Sequence, residues 1–110
     1  MQIEAMFEKY TLLPAIVQQY DTKEVLMLAY MDKEAWRRTL ADGTTWFFSR
    51  SRQEYWNKGA TSGNIQTVRA LYTDCDNDTI LVLVDQTGNA CHTGAHSCFF
   101  NEVRLETDKG

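Results

Sequence analysis

Apolar residues fall along this chain in short runs separated by polar clusters. Leu12 to Gln18 and Val25 to Met31 are apolar stretches with polar flanks, the length and boundary pattern of strands. Asp32 then supplies an N-cap for a helix through Ala35, Trp36 and Leu40, and Gly43 supplies its stop. Thr44 to Ser49 is β-branched and aromatic and returns to strand. Ser49 to Asn64 is polar and contains Gly59 and Gly63, which predicts a long functional loop with little regular structure. Ile65 to Tyr72 and Thr79 to Asp85 are further strands. The second is apolar on both faces from Ile80 to Val84, so it belongs inside a sheet. Gln86-Thr87-Gly88-Asn89 is a turn, and Phe99 to Leu105 is the expected last strand. The pattern predicts a β-rich α+β fold, with a mixed or antiparallel sheet, one clear helix, and polar motifs at strand ends and in loops.

Composition narrows the class. With 110 residues, 44% hydrophobic and 12% aromatic, the chain is a globular one and fits a single domain over residues 1–110. A formal net charge of −4 argues against general binding to nucleic acid or to anionic membranes, which relies on a basic surface. No apolar run approaches the roughly 18 residues of a membrane span. Met1 to Tyr10 carries Glu4 and Glu8 and lacks the basic-then-apolar order of a signal peptide. Three cysteines, an odd number, without a secretory segment point to reduced thiols in the cytoplasm, free for metal or catalysis.

Those thiols sit among other ligands. Cys75 lies within Asp74-Cys75-Asp76-Asn77-Asp78, while Cys91 and Cys98 bracket His92 and His96. On an extended backbone, Asp74, Asp76 and Asp78 would share one face, with Cys75 on the other. Three such carboxylates repel one another until a cation neutralises them. A calcium loop needs glycine where this chain has Thr79, and a solvated acidic turn leaves Cys75 unexplained. Catalytic zinc commonly takes three protein ligands, a count Cys75, Cys91 and Cys98 supply; the alternative is buried thiols beside a turn. His92 and His96 have the spacing of a helical zinc pair, but Thr93 and Gly94 disfavour a helix. His92, beside a ligand, suits proton transfer, and His96 a surface or structural place.

Ser49-Arg50-Ser51-Arg52, Trp56-Asn57-Lys58-Gly59 and Thr61-Ser62-Gly63-Asn64 gather phosphate-binding groups into one segment. In an acidic chain, such a segment points to an anionic small molecule rather than a long polymer. These motifs, with Val25 to Met31, Asp74-Cys75-Asp76, Cys91-His92-Thr93-Gly94 and Ser97-Cys98-Phe99, resemble phosphoribosyl-AMP cyclohydrolase in order and spacing over roughly Val25 to Phe100. Ala60 departs from the family, which usually has glutamate there, and a fused pyrophosphohydrolase domain found in some relatives is not expected.

The resemblance implies a step of histidine biosynthesis, hydrolytic opening of the adenine six-membered ring at N1–C6. It implies zinc on Cys75, Cys91 and Cys98, shared between the subunits of an intertwined homodimer, and magnesium on Asp74, Asp76 and Asp78. Arg50, Arg52, Lys58 and Ser62 become candidates for the two substrate phosphates, Trp56 a stacking surface, and His92 the group guiding a proton to the departing nitrogen. A purine deaminase is the main competing enzyme, but its His-x-Glu and Pro-Cys-x-x-Cys motifs are absent. A non-catalytic zinc module would want four ligands in one chain, often as close Cys-x-x-Cys pairs, which this sequence lacks.

Overall fold

The computed structural model describes residues 2–106. Alternating apolar residues build a four-stranded sheet from β1 (Leu13–Gln19), β2 (Val25–Met31), β5 (Gln66–Thr73) and β6 (Ile80–Gln86), in the order β2-β1-β6-β5. β1 runs antiparallel to β2 and parallel to β6, and β5 runs antiparallel to β6, so the sheet is mixed. β6 takes the interior position that its two-faced apolar pattern predicts. A separate ribbon pairs β3 (Trp46–Ser49) with β4 (Glu54–Asn57). Two helices accompany these strands among the described residues, α1 (Gln2–Lys9) and α2 (Lys33–Asp42).

One face of the sheet makes the core. Leu13, Ala15 and Val17 of β1 and Ile80, Val82 and Val84 of β6 are buried beside Leu26, Met31, Trp36 and Phe47. Each fully buried aliphatic side chain is worth about 1.5–3 kcal/mol. Exposed ion pairs such as Glu34–Arg38, at 3.0 Å, are worth about 0.2–1 kcal/mol. Burial therefore holds the fold.

α2 begins and ends where its sequence dictates. The Ala35 amide donates to Asp32 Oδ1 at 2.9 Å, and Gly43, at φ 73°, donates its amide to the Thr39 carbonyl at 2.9 Å. Ala35, Trp36 and Thr39 form the buried stripe, packed towards β2 and β3. α1 has no counterpart in the sequence reading. It docks through Met6, which is buried, and Phe7, whose ring lies 6.5 Å from that of Trp36.

Three expectations need correction. The segment 49–64 is not irregular throughout, because β4 lies within it. Tyr55 and Trp56 pair across the ribbon with Phe48 and Phe47, and aromatic cross-strand pairs stabilise a strand inside a polar stretch. Residues 99–105 form no strand; the Cys98 amide still donates to the Leu26 carbonyl at 2.7 Å, but beyond it the chain finds no sheet edge. Phe99, Phe100, Val103 and Leu105 stay exposed. The Asp74–Asp78 segment is a tight turn between β5 and β6 rather than an extended strand, with Asn77 at φ 58°. Its carboxylates converge because the chain folds back, not because a pleat aligns them.

Candidate active site

One loop and the β3–β4 ribbon meet at the exposed start of β2. The loop follows β6. Its Cys91–Gly94 turn closes with the Gly94 amide donating to the Cys91 carbonyl at 3.0 Å, and the Ala90 and Cys91 amides donate to the carbonyls of His96 and Ala95. The returning end is fixed to β2: Ser97 Oγ donates to the Val25 carbonyl at 2.7 Å, and His96 Nδ1 meets Glu24 Oε1 at 2.7 Å. His96 thus has the structural place its sequence context suggested. Folding the loop back brings the Cys91 and Cys98 thiols within hydrogen-bonding reach of each other.

The two thiols differ in acidity. The Thr93 hydroxyl donates to Cys91 Sγ at 3.0 Å and, with the Thr93 amide, holds the Cys91 thiol below the usual range. Partial burial, reinforced by Cys91, pushes the Cys98 thiol up. Hydrogen bonds to a sulfur favour its charged form, while desolvation and a neighbouring anion oppose it. Cys91 is therefore the readier thiolate of the pair.

Cys98 and His92 line a cleft of about 430 Å³ with Met27, Arg52, Trp56 and Lys58. The ribbon delivers three of these. Arg52 leaves its turn, where the Arg52 amide donates to Ser49 Oγ at 3.3 Å, and its guanidinium pairs with Glu54 at 3.5 Å. Trp56 is half-buried on Phe47, with ring centroids 5.0 Å apart. Lys58 donates through Nζ to the Ala90 carbonyl and so ties the ribbon to the cysteine loop. Gly59 must be glycine here: at φ 86°, a Cβ would lie 2.4 Å from the Ile65 amide nitrogen.

Of the predicted site residues, Arg52, Trp56, Lys58, His92 and Cys98 share this cleft, and Cys91 lies immediately behind it. Arg50 faces an adjoining cleft of about 510 Å³, which Trp56 also lines. Ser62 lines neither; its hydroxyl oxygen accepts from the Asn64 amide at 3.2 Å. Cys75 is exposed on the β5–β6 turn. Among the described residues, Asp74, Asp76 and Asp78 are the only cluster of three groups placed to share a cation, so Cys75 does not complete a three-thiol set inside one protomer. In that acidic turn the Asp78 and Thr79 amides donate to Asp74 Oδ1 at 2.9 and 3.2 Å. Those bonds hold Asp74 low, while Asp74 and Asp76 push the Asp78 carboxyl up.

Sequence reasoning missed Met27 and the buried amides beneath the site. Gln66 accepts from Thr45 Oγ1 at 2.8 Å and donates to Gln86 Oε1 at 2.9 Å. Gln86 donates in turn to the Thr87 carbonyl at 2.8 Å, bracing the chain that leads to Cys91. A methionine inside an apolar strand reads as core, and a glutamine at a strand end reads as surface.

Known proteins carry the same framework. The family model for phosphoribosyl-AMP cyclohydrolase matches residues 27–100, from the cleft's Met27 to just beyond Cys98. A phosphoribosyl-AMP cyclohydrolase of Clostridium beijerinckii is 62% identical over 98 residues, which cover 88% of this chain and 90% of that protein. Those of Listeria innocua and Lactiplantibacillus plantarum are 60% and 61% identical, over 84% and 86% of this chain and 89% and 88% of theirs. The match spans the thiol loop, the basic ribbon and the acidic turn together, and on that ground the chain belongs to the phosphoribosyl-AMP cyclohydrolase family.

Proposed function

We propose that this protein opens the adenine six-membered ring of phosphoribosyl-AMP by hydrolysis of the N1–C6 bond, a step of histidine biosynthesis, in the cytoplasm. The single observation that carries the reading is the cleft that unites Cys98, His92, Trp56, Lys58 and Arg52. Water adds across the bond: its oxygen joins C6, a proton goes to N1, and the exocyclic amine stays on C6 as a carboxamide. Alkylation at N1 makes the substrate amidinium-like and C6 electrophilic. Trp56 offers a flat wall for the base. Arg52 and Lys58 offer positive charge to phosphate. His92, which lines the cleft with Cys98, moves the proton towards N1.

The donor set fits two metals. Cys91 and Cys98 present neighbouring soft sulfurs, the Cys91 thiol held below its usual range by Thr93, which suits zinc. Cys75, exposed on its turn, is free to reach a second copy, so the reading completes the set with Cys75 of the partner subunit. Zinc, when bound, supplies hydroxide at neutral pH by lowering the pKa of a ligated water to about 7. Asp74, Asp76 and Asp78 gather oxygens within 4.8 Å of one another, an arrangement suited to magnesium. The exposed apolar side chains of Phe99, Phe100, Val103 and Leu105 support a homodimer in which this segment is covered.

The test is the absorbance of phosphoribosyl-AMP mixed with the purified protein, before and after zinc removal. Zinc-dependent loss of the purine spectrum without ammonia release is the expected result. Ammonia release would make the protein a deaminase, and an unchanged spectrum with folded, metal-loaded protein would overturn the reading. In the same assay His92→Ala keeps its zinc and loses turnover by about 10²–10⁴-fold, the usual contribution of a general acid or base. Unchanged turnover removes His92 from the mechanism.

A further inference from the structure

The second cleft, which shares Trp56 with the thiol-lined one, holds an uncommitted cation. Arg52 is paired with Glu54, but among the described residues no ion pair engages Arg50. Instead, the Arg50 guanidinium lies over the Tyr30 ring, 3.9 Å from its centroid. Stacking engages one face of the guanidinium plane and leaves its edge N–H groups available. The Ser49 and Ser51 hydroxyls, 3.5 Å apart, line the same cleft. A guanidinium edge beside two hydroxyls is a donor set for the oxygens of a phosphate monoester. Its rigidity comes from the ribbon turn, where the Gln53 amide donates to the Ser49 carbonyl at 2.8 Å and the Gln53 side chain to the Arg50 carbonyl at 2.7 Å.

We infer that the Arg50–Ser49–Ser51 cleft is a separate subsite for the 5′-phosphate of the ribose on N9, and that Tyr30 is the positioning residue that orients Arg50. The choice of phosphate rests on the ring-opening reading. Reaction at N1–C6 puts the base against Trp56 with its N1 side towards His92, so the nearer ribose phosphate falls to Arg52 and Lys58. The remoter phosphate is left for the cleft beyond Trp56. Binding energy from such a remote group can be spent on holding the reacting bond in place, so its loss is felt in turnover as well as in affinity.

AMP and adenosine, which differ by that phosphate alone, give a readout that needs no turnover. Calorimetric titration of the metal-loaded protein should show AMP binding about 10- to 100-fold more tightly than adenosine, the range of charge-assisted hydrogen bonds from one guanidinium. Arg50→Ala should erase that preference, and Arg52→Ala should keep it. Tyr30→Leu should weaken the preference, while Tyr30→Phe, which keeps the ring, restores it. Thermal melts confirm that each variant is folded. Equal binding of AMP and adenosine by the unaltered protein overturns the subsite, as does a preference lost in Arg52→Ala and kept in Arg50→Ala. If Tyr30→Leu behaves as Tyr30→Phe does, Tyr30 has no positioning role. A protein that fails to open phosphoribosyl-AMP yet shows the Arg50-dependent preference would separate the failure of the reaction from that of the subsite.

Discussion

Asp32 has both carboxylate oxygens engaged. Oδ1 caps α2 and Oδ2 accepts the Tyr55 hydroxyl at 2.5 Å, which joins the helix to the ribbon that carries the site. The bond to Asp32, helped by partial burial, pushes the Tyr55 hydroxyl up to about 12. An unfolded tyrosine ionises near about 10. Above that pH the unfolded chain gives up this proton while the fold keeps it, so stability falls as pH rises. The contribution is complete below about pH 10 and is lost by about 12. Tyr55→Phe should therefore flatten part of the alkaline loss, seen as a smaller shift in urea midpoint between about pH 9 and 11.5. An equal shift in both proteins would mean that the bond does not form in solution. At this scale the sequence was most legible where chemistry is scarce. Cysteine, histidine and clustered arginine stand out in any chain, whereas Met27 and Tyr30, apolar in an apolar strand, take their roles only from what lies opposite them.

Elements were legible in proportion to how local their causes are. α2 carries its cap, apolar residues and terminal glycine within its own sequence; the structure keeps the cap and the glycine and buries Ala35 and Trp36, but leaves Leu40 exposed and buries Thr39 instead. β4 is made by the partners of Tyr55 and Trp56 on β3, and 99–105 joins neither sheet of the described residues. Both facts belong to the tertiary arrangement. The loop after β4 shows the same dependence through two glycines. Gly59 and Gly63 have φ of 86° and 83°, yet a Cβ at Gly63 meets nothing within 4 Å while one at Gly59 strikes the Ile65 backbone. Gly63→Ala should cost only the backbone strain, about 1–2 kcal/mol. Gly59→Ala should cost clearly more and shift Lys58 away from Ala90, lowering activity too. Equal denaturation midpoints for the two variants would show that the loop yields without resistance.

The whole molecule is longer than its chain length requires. Its extents are 50 × 33 × 30 Å and its radius of gyration is 14.9 Å, against about 13 Å for a compact chain of about 100 residues. Exposed apolar side chains in 99–105 and a thiol set left short of a third cysteine belong to the same proposal, a pair of chains that complete each other. Removing zinc should then loosen the pair as well as end activity. Sedimentation with and without chelator reads both, and an active, zinc-loaded monomer would defeat the shared site. The proposed dimer was reachable from the sequence only through family resemblance. No residue pattern marks a ligand that must come from another chain.

The parallel pairing of β1 with β6 has a kinetic consequence. Ala15 finds Ile80 as its neighbour, and Gln19 finds Val84, only after every intervening element has been made. Until then β1 can pair with β2 alone, and its other edge stays open. Contacts so distant in sequence slow folding, because the closing of the loop between them costs entropy before the contact gives anything back. A chain still leaving the ribosome therefore holds a two-stranded sheet with the β1 edge bare, and the cysteine loop, which emerges just after β6, reaches a sheet that has only then become complete.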